Sequence, residues 1–220
     1  MISTNDSFAQ FVFFKTAGNV PAELFQQSWI PIAKGFLARG ITNIILSARV
    51  GPQSDLSKFT FVSKNWWDSV TAIKGTFPKG LPGPSKKGNI NVSQGGIFKV
   101  EECSDLIKHQ LLSGKTKNTY KILIMVPIKE TPAKEYMQEL KTRIQEISGY
   151  DSLCVYRLDP CSGDLTRPWF YSWIIEAYFH SHLFSPDEAM DVFRDNMKLP
   201  DSWDMSIHVD DMQLTPQDIT

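Results

Sequence analysis

The sequence predicts an α+β fold made of two βαββαβ units that pack sheet to sheet within one chain. Three observations lead there. An aromatic strand runs into a turn and a helix at Phe59 to Phe77, "FTFVSKNWWDSVTAIKGTF", and again at Ser172 to Phe193, "SWIIEAYFHSHLFSPDEAMDVF". Strand-like and helix-like segments follow one order in both halves. Matching residues also recur at a near-constant offset: Pro132 lies 111 positions after Pro21, Gly149 lies 109 after Gly40, Val209 lies 109 after Val100, and Arg157 lies 108 after Arg49. A steady offset across several elements is the signature of a duplicated unit.

In the first half, "FAQFVFFKT" is aromatic and β-branched and reads as a buried strand. Pro21 opens a helix, where a missing N–H costs nothing. Leu24, Ser28, Ile32 and Phe36 fall near one stripe of it, Pro31 is expected to kink it, and Gly40 ends it. "TNIILSARVG" and "KFTFVSKNWW" are strands, and "DSVTAIKGTF" is a short helix. "PKGLPGPSKKGN" is a loop, and "INVSQGGIFKVEE" is a last strand, expected to break at Gly95-Gly96.

The second half repeats the order. "TYKILIMVPI" has the unbroken apolar centre of a covered strand. Thr131 and Pro132 can start a helix whose apolar face is Tyr136, Leu140, Ile144 and Ile147, with Gly149 at its end. "DSLCVYRLD" and "PWFYSWIIEAYF" are strands. Ser185, Pro186 and Glu188 form a capping box for "DEAMDVFRDNM", and "WDMSIHVDDMQL" closes the unit.

This order is that of the ferredoxin-like unit, a four-stranded antiparallel sheet with both helices on one face. One unit leaves its other sheet face bare, and a second copy covers it. The expected architecture is therefore an intrachain α+β barrel of two tandem ferredoxin-like halves, residues 1–105 and 116–220.

Composition excludes several classes. The chain carries 23 basic and 24 acidic residues among 220, so no broad basic face points to nucleic acid or anionic membrane. No apolar run approaches the roughly 18 residues of a membrane span, and the first residues lack a signal-peptide pattern. Cys103, Cys154 and Cys161 are odd in number and have no CxxC spacing, which argues against a disulfide framework and a structural zinc site. A reducing cytoplasm is the expected compartment. Phosphate-loop, dinucleotide and nucleophile-elbow motifs are missing.

The motifs at the ends of the third strands of the two halves carry a resemblance. Glu176-Ala-Tyr178 stands there in the second half and Asn65-Trp66-Trp67 in the first, with asparagine in place of the acid. "FQQSWIPIA" adds an aromatic helix motif without the histidine usual beside it. The chain resembles a fused pair of dimeric α+β barrel domains, the superfamily that includes the antibiotic-biosynthesis monooxygenase, EthD-like and polyketide-cyclase-like families. The resemblance implies a small apolar or aromatic metabolite in the barrel and a cofactor-independent monooxygenase, cyclase or isomerase. A haem-binding barrel, as in chlorite-dismutase-like relatives, and a non-catalytic binding or scaffold protein are the alternatives. Pairing into a homodimer is compatible with it.

Candidate site residues concentrate in the second half. "FHSH" puts His180 and His182 on one side of an extended chain as the acid/base, because imidazole titrates nearest neutrality. Glu176 shares their parity and can orient an imidazole. Arg157 is a strand guanidinium that either pairs with a carboxylate or anchors an oxyanion. Trp169, Tyr171 and Trp173 alternate onto one face, with Tyr171 and Trp173 stacking on a planar substrate. Tyr178, Asn65 and Trp66 complete the substrate-binding set. Trp67 is expected to plug the junction under the second helix, with Trp66 pointing the other way. His208 is expected at a solvated strand edge, and His109 in the connection between halves has no assigned role. No metal site is expected.

Overall fold

The computed structural model describes residues 7–16, 21–50, 59–79, 85–87, 90–105, 109–110, 119–162, 170–180 and 185–219. The strands are β1 (Phe8–Phe14), β2 (Ile41–Val50), β3 (Phe61–Trp67), β4 (Ser85–Lys87), β5 (Ile90–Cys103), β6 (Thr119–Pro127), β7 (Tyr150–Leu158), β8 (Tyr171–His180) and β9 (Asp204–Leu214). The helices are α1 (Ala22–Leu37), α2 (Val70–Thr76), α3 (Lys134–Glu146) and α4 (Pro186–Met197).

Eight strands close into an antiparallel barrel in the order β1-β3-β2-β9-β6-β8-β7-β5, with β5 returning to β1. The short β4 pairs with the start of β5. The first half contributes β5-β1-β3-β2 and the second contributes β9-β6-β8-β7. The two sets also bond along their edges, through β2–β9 and β5–β7. Closure of this kind leaves no unpaired sheet edge within the barrel wall.

Alternation of side chains sorts the apolar residues into three cores. Phe8, Phe14, Ile44, Leu46, Phe61 and Trp67 face outward and are covered by Phe25, Trp29, Ala33 and Leu37 of α1 and Ile73 of α2. Ile122, Ile124, Val155, Ile175 and Phe179 face outward in the second half, under Leu140 and Ile144 of α3 and Phe193 of α4. The third core fills the barrel and includes Phe11, Phe13, Trp66, Phe98, Leu123, Met125, Tyr156 and Tyr171.

Local signals act largely as the sequence implies. Ser185 accepts from the Glu188 N–H at 3.3 Å while the Glu188 carboxylate accepts from the Ser185 N–H at 2.9 Å, completing the capping box of α4. Gly40 and Gly149 have φ of 97° and 84°, a region that glycine enters without a Cβ penalty.

Three expectations change. The buried stripe of α1 is Phe25, Trp29, Ala33 and Leu37, while Leu24 is 42% exposed. Both stripes have i, i+4 spacing, but the expected one is broken by Ser28 while the buried one is apolar throughout; Phe25 stacks on Phe61 at 4.2 Å. Thr131 does not cap α3, whose N-cap is Ala133 with no side-chain bond. β5 also continues through Gly95 and Gly96, which pair with Val12 and Phe11. A Cβ on Gly96 would lie 2.9 Å from the Phe98 ring and 3.0 Å from Leu158, so this glycine serves close packing rather than a break.

Candidate functional site

Strands β3, β6 and β8 are apolar on their inward faces except at one position each. Lys64 lies between Val62 and Trp66 on β3, Lys121 precedes Leu123 on β6, and Glu176 lies between Ile174 and Tyr178 on β8. Closure of the barrel brings these exceptions together. Lys64 Nζ donates to both oxygens of Glu176, at 2.8 and 2.6 Å. The Tyr156 hydroxyl donates to Glu176 Oε2 at 2.8 Å, and His109 Nδ1 lies 2.9 Å from the same oxygen.

Lys121 continues the network. Its ammonium is 3.5 Å from Glu176 Oε1 and 2.5 Å from Asp210 Oδ1, and it also donates to Ser47. The Ser47 hydroxyl and the Tyr178 hydroxyl donate to Asp210 at 2.7 and 2.8 Å. Two lysines and two carboxylates therefore balance inside the barrel, where an unpaired charge would cost several kcal/mol. The Lys64 and Glu176 side chains are both fully buried.

Electrostatics fix the protonation states. Burial alone would raise the Glu176 carboxyl, but Lys64, Lys121 and His109 outweigh it and hold the group well below the usual carboxylate range. Asp210 follows the same logic: burial raises it, and Lys121 and Lys64 bring it below its ordinary value. Burial would lower Lys121, yet Asp210 and Glu176 leave it raised. Burial lowers His109, and the Glu176 bond does not restore it. His109 is therefore a neutral imidazole near pH 7 that donates Nδ1–H to Glu176. Its Nε2 is buried and has no hydrogen-bond partner among the described residues. Burial also pushes the Tyr156 and Tyr178 hydroxyls and the Cys154 thiol well up.

The structure divides the residues that the sequence singles out. Glu176 and Tyr178 share the interior as their spacing implies, and the Tyr178 ring meets His109 edge to face at 4.8 Å. Trp66 points into the barrel and donates from Nε1 to the His109 carbonyl at 3.2 Å. Trp67 faces the other way and packs on Phe77, which makes it the junction plug. Asn65 shares that outer face, accepting from Ser63 at 2.6 Å and donating to Gln10 at 3.1 Å, away from the charge centre.

Other residues of the set do not converge. Tyr171 belongs to the interior core, beside Phe13 and Phe59, whereas Trp173 packs on the helical side. The cause is a register shift between Val126 and Pro127, which pair with Trp173 and Tyr171; an irregularity breaks simple alternation. Arg157 lies outside the barrel, 2.8 Å from Glu101 and over the Trp173 ring at 5.7 Å. It takes the ion-pair role. His180 is exposed at the end of β8, opposite Thr119. His182 and Trp169 lie outside the described residues.

Two histidines reverse their expected standing. His208 is fully buried, with Nε2 2.8 Å from Ser206 Oγ, and burial together with Lys121 and Arg49 pulls it to about 3. His109 sits at the centre. Its segment has no periodic pattern that would place it there. Lys64 and Lys121 did carry a signal: a lone charge at inward parity in an otherwise apolar strand.

No family model and no curated protein matches the sequence. Solved structures do match in shape. An anthrone oxidase-like protein superposes with a TM-score of 0.55 at 10% identity, covering 96% of this chain and 94% of that one. A chlorite dismutase variant from Candidatus Nitrospira defluvii gives 0.52 at 9% identity over 98% and 94% of the two chains. A candidate monooxygenase from Lactobacillus acidophilus NCFM gives 0.50 at 13% identity over 96% and 97%. No helix among the described residues is long and apolar enough to cross a membrane. At these identities the likeness concerns the fold alone: the chain shares the α+β barrel architecture of these structures.

Proposed function

We propose that the chain is a cofactor-independent enzyme acting on an aromatic or polyketide-like small molecule, as a monooxygenase, cyclase or isomerase. The observation that carries this reading is the buried His109–Glu176 pair. His109 Nδ1 is held by the carboxylate, and Nε2 keeps a lone pair with no partner among the described residues. Perturbed groups of this kind concentrate at functional sites.

The acid/base role expected of His180 or His182 passes to His109. Its Nε2 takes a proton from an acidic C–H or O–H of the substrate, and the Glu176 carboxylate stabilises the imidazolium that forms. Lys64 and Lys121 supply fixed positive charge for the oxyanion that develops. Phe11, Phe13, Phe98, Met125 and Tyr171 pack as the apolar core of the barrel, so a flat ring system enters only as these side chains rearrange around it. In cyclisation the carbanion carbon bonds to a carbonyl carbon of the same molecule, and the alkoxide formed takes the proton back from His109. In oxygenation the carbanion gives two electrons to dioxygen, the peroxide formed takes that proton, and loss of water leaves the new carbonyl. The strand orders β5-β1-β3-β2 and β9-β6-β8-β7 support a tandem ferredoxin-like origin, with halves near 1–105 and 116–220. The centre draws on both halves.

A haem-binding barrel draws less support from the described histidines of the second half. Of the second-half histidines, His208 is bonded to Ser206 among buried charges, and His180 stands at an exposed strand end. A non-catalytic scaffold is the second reading, favoured by the full pairing of Lys64, Glu176, Lys121 and Asp210.

Anthrone-type tricyclic hydroxyaromatics are the first substrates to assay, by dioxygen uptake and product absorbance. Loss of a general base lowers the rate by about a hundredfold to ten-thousandfold. His109→Gln should show that loss while its melt stays near wild type. Full turnover in folded His109→Gln contradicts the assignment.

A further inference from the structure

We propose that Cys103, Cys154 and His109 form a binding site for a thiophilic transition-metal cation, with Zn²⁺ as its occupant. Cys103 on β5 and Cys154 on β7 are direct cross-strand partners. Their sulfurs and an imidazole nitrogen of His109 lie within 4.8 Å of one another. A tetrahedral zinc, with Zn–S of about 2.3 Å and Zn–N of about 2.0–2.1 Å, holds such atoms about 3.5–3.8 Å apart. Small side-chain rotations therefore close the cluster around a cation. Both cysteines are free thiols.

His109 provides the second, independent observation. It is fully buried, its Nδ1 is engaged by Glu176, and its Nε2 has no partner among the described residues. A histidine whose other ring nitrogen is held by a carboxylate is the usual arrangement of a metal ligand, because that bond fixes the tautomer and raises basicity. Two thiolates and one imidazole favour zinc or cuprous copper over hard cations. The two thiolates also balance a divalent charge, while the Lys64 charge is already met by Glu176.

Three protein ligands leave a fourth position for water or an exogenous ligand. The sequence hides the site because its sulfur ligands are neighbours across strands, 51 positions apart, instead of a CxxC pair. A cation on Nε2 takes the lone pair that proton abstraction uses, so the loaded chain is the inactive form of the proposed enzyme.

Cobalt provides the readout. Titration of Co²⁺ into the reduced, metal-free chain should give a thiolate-to-metal charge-transfer band that saturates at one cation per chain and is displaced by Zn²⁺. Cys103→Ser, Cys154→Ser and His109→Gln should each weaken binding by at least the roughly 10–100-fold that loss of a supporting partner costs. Cys161→Ser should bind as wild type does. If Cys154→Ser fails to fold, the half-buried Cys103 and the His109 variant carry the test. The proposal is overturned if the wild type gives no such band, or if the band survives unchanged in folded Cys103→Ser. The titration uses no substrate, so its failure leaves the proton-transfer reading standing, and the failure of that reading leaves this one.

Discussion

Lys64 and Glu176, 112 positions apart, meet inside the barrel in a two-pronged ion pair of 2.8 and 2.6 Å with neither side chain exposed. One comes from β3 of the first half and the other from β8 of the second. Removing a single partner leaves a buried charge without its match. Glu176→Gln should therefore destabilise the chain by about 3–5 kcal/mol. The double variant Lys64→Met, Glu176→Gln should cost less than the sum of its two single changes, by about 0.5–3 kcal/mol. Urea denaturation of the four proteins measures this, and additive losses would mean that the pair does not couple.

Acid should unfold the chain in two stages. His208 is held at about 3 in the fold, against 6.5 when unfolded. Between those values the unfolded chain binds the extra proton, so stability falls as pH falls. The slope is about 1.4 kcal/mol per pH unit for one such histidine. His109, also lowered, adds to the fall below 6.5. Glu176 and Asp210 lie below their ordinary values of 4.5 and 3.8. Their contribution is present above those values and is lost as pH drops further. Replacing His208 with Gln should make the upper stage shallower, with the His109 part remaining, and spare the lower one. A stability curve that is flat from pH 6.5 to 4.5 in the wild type would contradict this.

The α1 packing separates two adjacent apolar residues. Phe25 is fully buried against Phe61 and Phe14, and Leu24 is largely exposed. Phe25→Ala should cost about 3–5 kcal/mol. Leu24→Ala should stay within about 0.5 kcal/mol. Thermal melts of the pair decide which stripe of α1 faces the sheet.

Most of the fold was legible because it is written in local patterns. Continuous apolar strands, Pro21, Gly40, Gly149 and the Ser185 box each act within a few residues. The site was legible where parity holds: Glu176 and Tyr178 share the interior. It was lost where parity breaks, since the shift beside Pro127 sends Tyr171 inward and Trp173 outward. His109 could not be placed, because its position depends on Trp66, Glu176 and Tyr178 closing around it in three dimensions. Lys64 and Lys121 stand out in the sequence as lone charges in apolar strands, and barrel closure is what turns that strand face inward and pairs them.

The state of the His109 ring is the most direct test, because both proton abstraction and cation binding need its Nε2 lone pair. Nitrogen-15 NMR of imidazole-labelled, metal-free protein reads it without any substrate. The expected result at neutral pH is a protonated, pyrrole-type Nδ1 and an unprotonated, pyridine-type Nε2 for the resonance that vanishes in His109→Gln. An imidazolium, or a proton on Nε2 with Nδ1 bare, would contradict the account.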